Sequence, residues 1–186
     1  MKHLHSLTLF IIPSVFIFLL GCGGIPFVDK SKQEGIFKEK TIYVYPVHIL
    51  RESSSFDVKL SDQIVRIINT VDNMKAESFD KPIGVNSQWE MNEAKMFMKS
   101  FNAFSESVKA DSEKVEFALL VEILYQPNMV VGVHYYLLDN KEGKAVMAHI
   151  INSHNEHFQR INPKSIADGL EVFKAVFEED MKELKK

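Results

Sequence analysis

The sequence predicts an α+β domain: a mixed sheet of about four to five strands, with a three-stranded antiparallel meander, packed with about three helices. Three observations lead there. Apolar, β-branched and aromatic runs follow one another at 117–125, 130–138 and 144–153, separated by turn signals. A run of the same kind lies earlier, at 41–50. Apolar residues recur at helical spacing in three further stretches.

Residues 41–50 (TIYVYPVHIL) read as a strand. Pro46 removes a ladder donor and marks the strand's end or an edge position. Residues 51–59 are a polar connection. Ser61 is placed to cap a helix from about residue 62, with Ile64, Val65, Ile67, Ile68 and Val71 on its apolar face and an end near Asn73. Between 74 and 86, Pro82-Ile83-Gly84-Val85 reads as a short strand or an ordered loop. Ser87-Gln88-Trp89-Glu90 has the form of a capping box, and a helix follows to about Lys109. Its stripe is Ala94, Phe97, Phe101, Phe104 and Val108, widened by Met98.

Residues 117–125 place Phe117, Leu119, Val121, Ile123 and Tyr125 on one face, and Ala118, Leu120, Glu122 and Leu124 on the other. Both faces are mostly apolar, which predicts an interior strand. Asp139-Asn140-Lys141-Glu142-Gly143 fits a hairpin loop with Gly143 at positive φ. Pairing Asn140 with Lys144 sets Tyr136 opposite Ala148, His134 opposite Ile150 and Tyr135 opposite His149. Asn162-Pro163 starts the last helix as cap and first-position proline. Its stripe is Ile166, Leu170, Phe173, Phe177, Met181 and Leu184.

Residues 1–21 read as a cleaved export signal. Lys2 is the positive end, and residues 7–20 carry no charge. The run is shorter than the roughly 20 apolar residues a spanning helix needs, and Pro13 interrupts it. Leu19-Leu20-Gly21-Cys22 then resembles the lipobox of bacterial lipoproteins. That resemblance implies cleavage before Cys22, diacylglycerol on its thiol and an acylated amino terminus, palmitate included. More than one acyl chain is what stable anchoring needs. Residue 23 is Gly, not the Asp that commonly retains enterobacterial lipoproteins in the inner membrane. The expected location is the outer membrane, facing the periplasm, if the cell is Gram-negative. Residues 22–40 then form the lipid anchor and tether, and 41–186 a single α+β envelope domain.

The 165 residues after the signal suit one domain with a real core. They carry 21 basic and 25 acidic side chains, so no basic excess points to nucleic acid. Cys22 is the only cysteine, which excludes an internal disulfide and a thiolate metal site.

Parts of the domain resemble the periplasmic α/β lipoprotein domains related to the curli secretion lipoprotein CsgG, the TolB N-terminal domain and LpoB. The residues concerned are Ile42-Tyr43-Val44-Tyr45-Pro46-Val47, Phe117-Ala118-Leu119-Leu120-Val121, and Tyr136-Leu137-Leu138-Asp139 followed by Gly143-Lys144-Ala145-Val146. Glu122 departs from the pattern, which often has glycine near that position. The resemblance implies a binding or assembly role, not catalysis, and transfers no functional residue.

The densest group of potential metal ligands is His149, His154 and His157, with Glu156 beside them, but the spacing is not HExxH. They read as polar residues at the surface rather than as a metal site. His48 and His134 lie in strands and read as packed core or edge residues. Glu122, in an apolar strand, is either a carboxylate with a raised pKa or a paired or partly solvated group. Trp89, Tyr43, Tyr45, Tyr135 and Tyr136 are candidates for anchoring a partner or for the core. No Gly-x-Ser-x-Gly and no phosphate loop occurs.

The expectation is therefore a lipid-anchored accessory module that binds another envelope protein, is not an enzyme and needs no cofactor. Three helices on strands apolar on both faces leave room for one sheet face to stay open to a partner. The alternative is an envelope binder of a small apolar ligand or a metal ion. Cys22→Ser should abolish metabolic lipid labelling and signal removal while leaving the domain from about Thr41 onward folded. Normal processing and membrane attachment of that variant would refute the anchor.

Overall fold

The structure is a computed structural model. It describes residues 27–28, 40–51, 54–71, 74–81, 83–85, 88–111 and 114–183. The signal, Cys22, Pro82, Ser87 and Leu184 lie outside these residues.

The predicted α+β class holds, with more strands than expected. The strands are β1 (Phe27–Val28), β2 (Thr41–Val44), β3 (Val47–Leu50), β4 (Ser55–Asp57), β5 (Lys75–Ser78), β6 (Phe117–Gln126), β7 (Met129–Asp139) and β8 (Lys144–Asn152). The helices are α1 (Val58–Asn69), α2 (Glu93–Lys109), α3 (Glu156–Ile161) and α4 (Ile166–Glu183). All strands join one mixed sheet in the order β1-β8-β7-β6-β2-β5, with β3 continuing the β2 row along β6 and β4 beside β3. β2 and β3 run parallel to β6, and β2 parallel to β5. β6, β7 and β8 form the antiparallel meander. Within the stretch read as tether, β1 pairs antiparallel with β8, Phe27 opposite Ala148.

β6 is interior, as its two apolar faces predict. Phe117, Leu119, Val121 and Ile123 join a core under α1, α3 and α4, built on Ile64, Ile68, Phe158, Phe173 and Phe177. Ala118 and Leu120 join a second core under α2, with Phe97, Phe104, Val108 and Tyr136. Helices thus lie over both faces, which answers whether a sheet face is left open, a point the sequence left undecided.

Several elements differ from the sequence reading for local reasons. Residues 41–50 form two strands, because Pro46 interrupts the ladder; both halves nonetheless lie inside the sheet. Val44 pairs with Leu119 but His48 with Glu122, so one extra residue bulges out between them. α1 starts four residues before residue 62, because the Asp57 side chain accepts from Leu60 N (3.1 Å). Ser61 is buried in the first turn and donates to Val58 O (2.6 Å). α1 also ends at Asn69, short of Asn73.

Ser87 of the expected capping box lies outside the described residues, and the helix does not start directly after it. α2 starts at Glu93 with Asn92 as cap, accepting from Lys95 N (2.9 Å), while Glu90 pairs with Lys95 and Lys99. The helix turns Met96 and Ser100 inward and leaves Ala94 and Met98 exposed. Asn162 does not cap α4. It closes α3 in the left-handed region at φ 51°, a place asparagine tolerates. α4 is started by Ser165 and Asp168: Asp168 Oδ2 accepts from Ser165 N (2.8 Å), and Asp168 N donates to Ser165 Oγ (3.2 Å).

The meander register follows the prediction at Tyr136–Ala148, His134–Ile150 and Tyr135–His149. The end pair is Asp139–Lys144 rather than Asn140–Lys144, because the register shifts beyond Leu137. Gly143 takes φ 65°. Asn140 instead turns its amide inward, donating to Val108 O (2.8 Å) and Val115 O (3.1 Å).

Phe104 is fully buried on α2, and Met98 is 50% exposed. Phe104→Ala should cost about 3–5 kcal/mol and Met98→Ala less than about 0.5 kcal/mol, read from denaturant unfolding.

Candidate functional site

Three neighbouring strands bring His48 (β3), Glu122 (β6) and His134 (β7) into one row on the α2 face. His48 and Glu122 are there for different reasons. Glu122 follows the alternation of β6. Ile42 and Val44 pack on the other face, so an unbroken strand would turn His48 that way too. The extra residue after Val44 reverses the alternation and sets His48 beside Glu122.

The row is buried throughout. His48 Nδ1 lies 2.7 Å from Glu122 Oε1. Tyr136 donates its hydroxyl to Glu122 Oε2 (2.7 Å). His134 Nδ1 stands 3.6 Å from the same oxygen, an ion-pair distance rather than a hydrogen bond. His134 Nε2 reaches Glu93 Oε1 on α2 (3.2 Å), and Asn152 on β8 donates to Glu93 Oε2 (2.7 Å). Phe56 stacks on His48 with centroids 5.0 Å apart, and Phe97 meets His134 edge-on at 5.3 Å.

Burial alone pushes the Glu122 carboxyl up, but His134 and His48 outweigh it and hold it at about 2. The raised pKa considered from sequence is thus reversed, because the carboxylate is paired. Burial lowers His134, yet Glu122 and Glu93 raise it overall. Glu93 is lowered: burial opposes ionisation, and His134 and Asn152 override it. The first turn of α2 is also a favourable place for an anion.

Glu93 is the point where the row meets solvent, its side chain 33% exposed. It opens on a groove of about 190 Å³ lined by Trp89, Glu90, Met91, Met96, Leu124 and Val131. Met96 and Leu124 are buried at its base; Trp89 and Met91 stand exposed at its rim. Gly132 makes room for Glu93, since a Cβ there would come within 2.9 Å of Glu93 Oε1. Of these residues the sequence reading singled out only Trp89 as a partner contact. The available signal was Trp89 and Met91 standing outside any helical stripe.

His149, His154 and His157 are not gathered into one site. His149 faces α4, stacked on Tyr135 (5.0 Å, 4°) with Nε2 3.2 Å from Asp180 Oδ2. His154 is exposed in the turn before α3. His157 lies 2.8 Å from Glu179 and 4.0 Å from Glu156. Those three groups are close enough to share an ion. Arg160, however, contacts His157 Nδ1 at 2.7 Å, and its fixed positive charge opposes a cation there. Tyr45, Tyr135 and Tyr136 are core residues, fully buried. Tyr43 is half-buried against Phe79.

Fold and site define a mixed α+β domain with a buried histidine–glutamate row ending in a small surface groove. No protein-family profile matches the chain, and no curated protein matches it. Among solved structures it has a weak resemblance to TolB from Acinetobacter baumannii, at 11% identity and TM-score 0.44, covering 87% of this chain and 30% of TolB. The PelC dodecamer from Paraburkholderia phytofirmans aligns at 10% identity and TM-score 0.41, over 68% of this chain and 78% of PelC. The hypothetical protein CT253 from Chlamydia trachomatis aligns at 16% identity and TM-score 0.37, over 77% and 94%. Likeness at this level says nothing of ligands, partners or residue roles. Among the described residues no helix is long and apolar enough to cross a membrane.

The Glu122 carboxyl sits below its unfolded value, so its stabilisation is present above about pH 4.5 and lost as pH falls towards 2. Glu122→Gln should cost about 3 kcal/mol at pH 7 by removing the buried carboxylate that His48 and His134 share. The variant should also lose less stability than the wild type across that acid range, Glu93 and other lowered carboxylates supplying the remainder. Denaturant unfolding at a series of pH values measures both effects, and an unchanged acid limb would remove Glu122 from this role.

Proposed function

We propose that the chain is a lipid-anchored cell-envelope lipoprotein, held through Cys22, that binds another envelope protein as an accessory or assembly module without catalysis. In a Gram-negative cell it sits on the outer membrane, facing the periplasm. The anchor rests on the lipobox resemblance of Leu19-Leu20-Gly21-Cys22. The binding role is carried by one observation: the groove at the start of α2, with exposed Trp89 and Met91 over a buried apolar base. Tryptophan is enriched among residues that dominate interface energies, and methionine adapts to varied partners.

Groove size favours a protein over a small molecule. About 190 Å³ is below the roughly 300–1,000 Å³ typical of small-molecule pockets. It suits one anchoring side chain. The alternative reading, an apolar ligand or a metal ion, has less support, since Phe97 and Phe104 are packed in the core and Arg160 stands in the His157 cluster.

A photo-crosslinking amino acid at Met91 in the full chain, expressed in its own cells, should yield a discrete adduct. The same group at Lys59, exposed on α1, should not. No adduct at position 91, or equal yield at both positions, would overturn the groove as the docking site.

A further inference from the structure

We propose that the groove beside Trp89 takes a lysine or arginine side chain of the partner protein, with Glu93 as its counter-ion. This rests on the protein-binding reading above and specifies what the groove selects.

The argument starts from charge. Glu93 and Glu122 are two carboxylates of one polar row, and they share His134 between them. Among the described residues no lysine or arginine pairs with either. The other carboxylate at the groove, Glu90, is already engaged by Lys95 (3.1 Å) and Lys99. Glu93 is therefore the groove's carboxylate with only His134, and no lysine or arginine among the described residues, as counter-ion, and one-third of its side chain is open. Each of its oxygens accepts from one protein group, and a carboxylate oxygen has room for a second donor.

The walls fit the rest of such a side chain. Lysine and arginine bury an apolar stem and keep a charged head at a polar end. Met96, Leu124 and Val131 offer the apolar length, and Glu93 the polar end. The Trp89 ring at the rim adds an aromatic face suited to a cation. An acidic side chain would meet Glu93 and Glu90, and a neutral apolar one would leave the Glu93 carboxylate covered without a new donor.

The chain's single tryptophan is Trp89, so intrinsic fluorescence reports on the groove directly. The full chain is titrated with N-acetyl-arginine amide and N-acetyl-lysine amide, with the norleucine and glutamate amides as neutral and acidic controls. The basic amides should change the emission saturably with dissociation constants on the order of 1 mM, a single-contact affinity. The norleucine and glutamate amides should bind at least tenfold more weakly. Glu93→Gln should remove that preference while the emission of the free protein still reports a folded chain. If it unfolds, the comparison among the four amides on wild-type protein decides alone. Equal response to basic and norleucine amides, or no response to any, overturns the proposal. Stronger binding of phosphocholine than of the arginine amide overturns it in favour of a lipid headgroup. A crosslinked partner at Met91 whose yield is the same with Glu93→Gln sinks the charge preference while leaving the docking site standing. Selective binding of basic amides without any adduct at Met91 does the reverse.

Discussion

A carboxylate in the middle of a sheet is the constraint on which the α2 side of this fold depends. Glu122 is 2% exposed, and an ionised group there is tolerated only with partners on its oxygens. Those partners come from three directions. His48 arrives because the strand bulges by one residue near Pro46, Tyr136 because of the meander register, and His134 because it is the cross-strand neighbour. Glu93 then ties His134 to α2. An apolar residue at 122 would release all of these positions from their present need.

The two faces of the sheet divide the labour. Under α1, α3 and α4 the core is a broad apolar layer, with Phe173 and Phe177 stacked on each other and set edge-on to Tyr135. Its one polar group of note is Tyr135, His149 and Asp180. Burial raises Asp180 to about 7 and lowers His149 to about 4, so each is drawn towards its uncharged form. The α2 face resolves burial the opposite way: Glu122 is held charged by its histidine neighbours. Burial thus disfavours charge on the face that carries most of the apolar core, and paired charge is retained on the face that opens to a groove.

The sequence showed what depends on periodicity. The meander and the α4 stripe follow from alternation and helical spacing, and the central register from the hairpin loop at 139–143. The elements it hid lack that signal. β5 is Lys-Ala-Glu-Ser, with only Ala76 buried, and is a strand because β2 offers it a parallel edge. Asn69 also holds it, bonding both Ala76 N (2.7 Å) and Ala76 O (3.2 Å). The start of α2 differs from the expectation because the sequence offers two capping candidates within six residues, and the helix begins after the second, Asn92. The polar row was invisible for a stronger reason. His48 reaches Glu122 only through a bulge, and no alternation pattern contains one. Glu93 became part of the site only when the helix start and the meander were set against each other.

Anchoring and groove belong to one argument under the proposed function. Four residues separate Cys22 from β1, a gap of at most about 18 Å when extended. β1 lies on β8, and the far end of β8 supplies Asn152 to Glu93. With Cys22 acylated as proposed, the groove would lie near the membrane surface, where a partner in the same envelope layer is met at high effective concentration. A recess that grips one side chain gives only weak binding free in solution. The proposed acyl anchor would let a small groove with one open carboxylate select its partner without a larger interface.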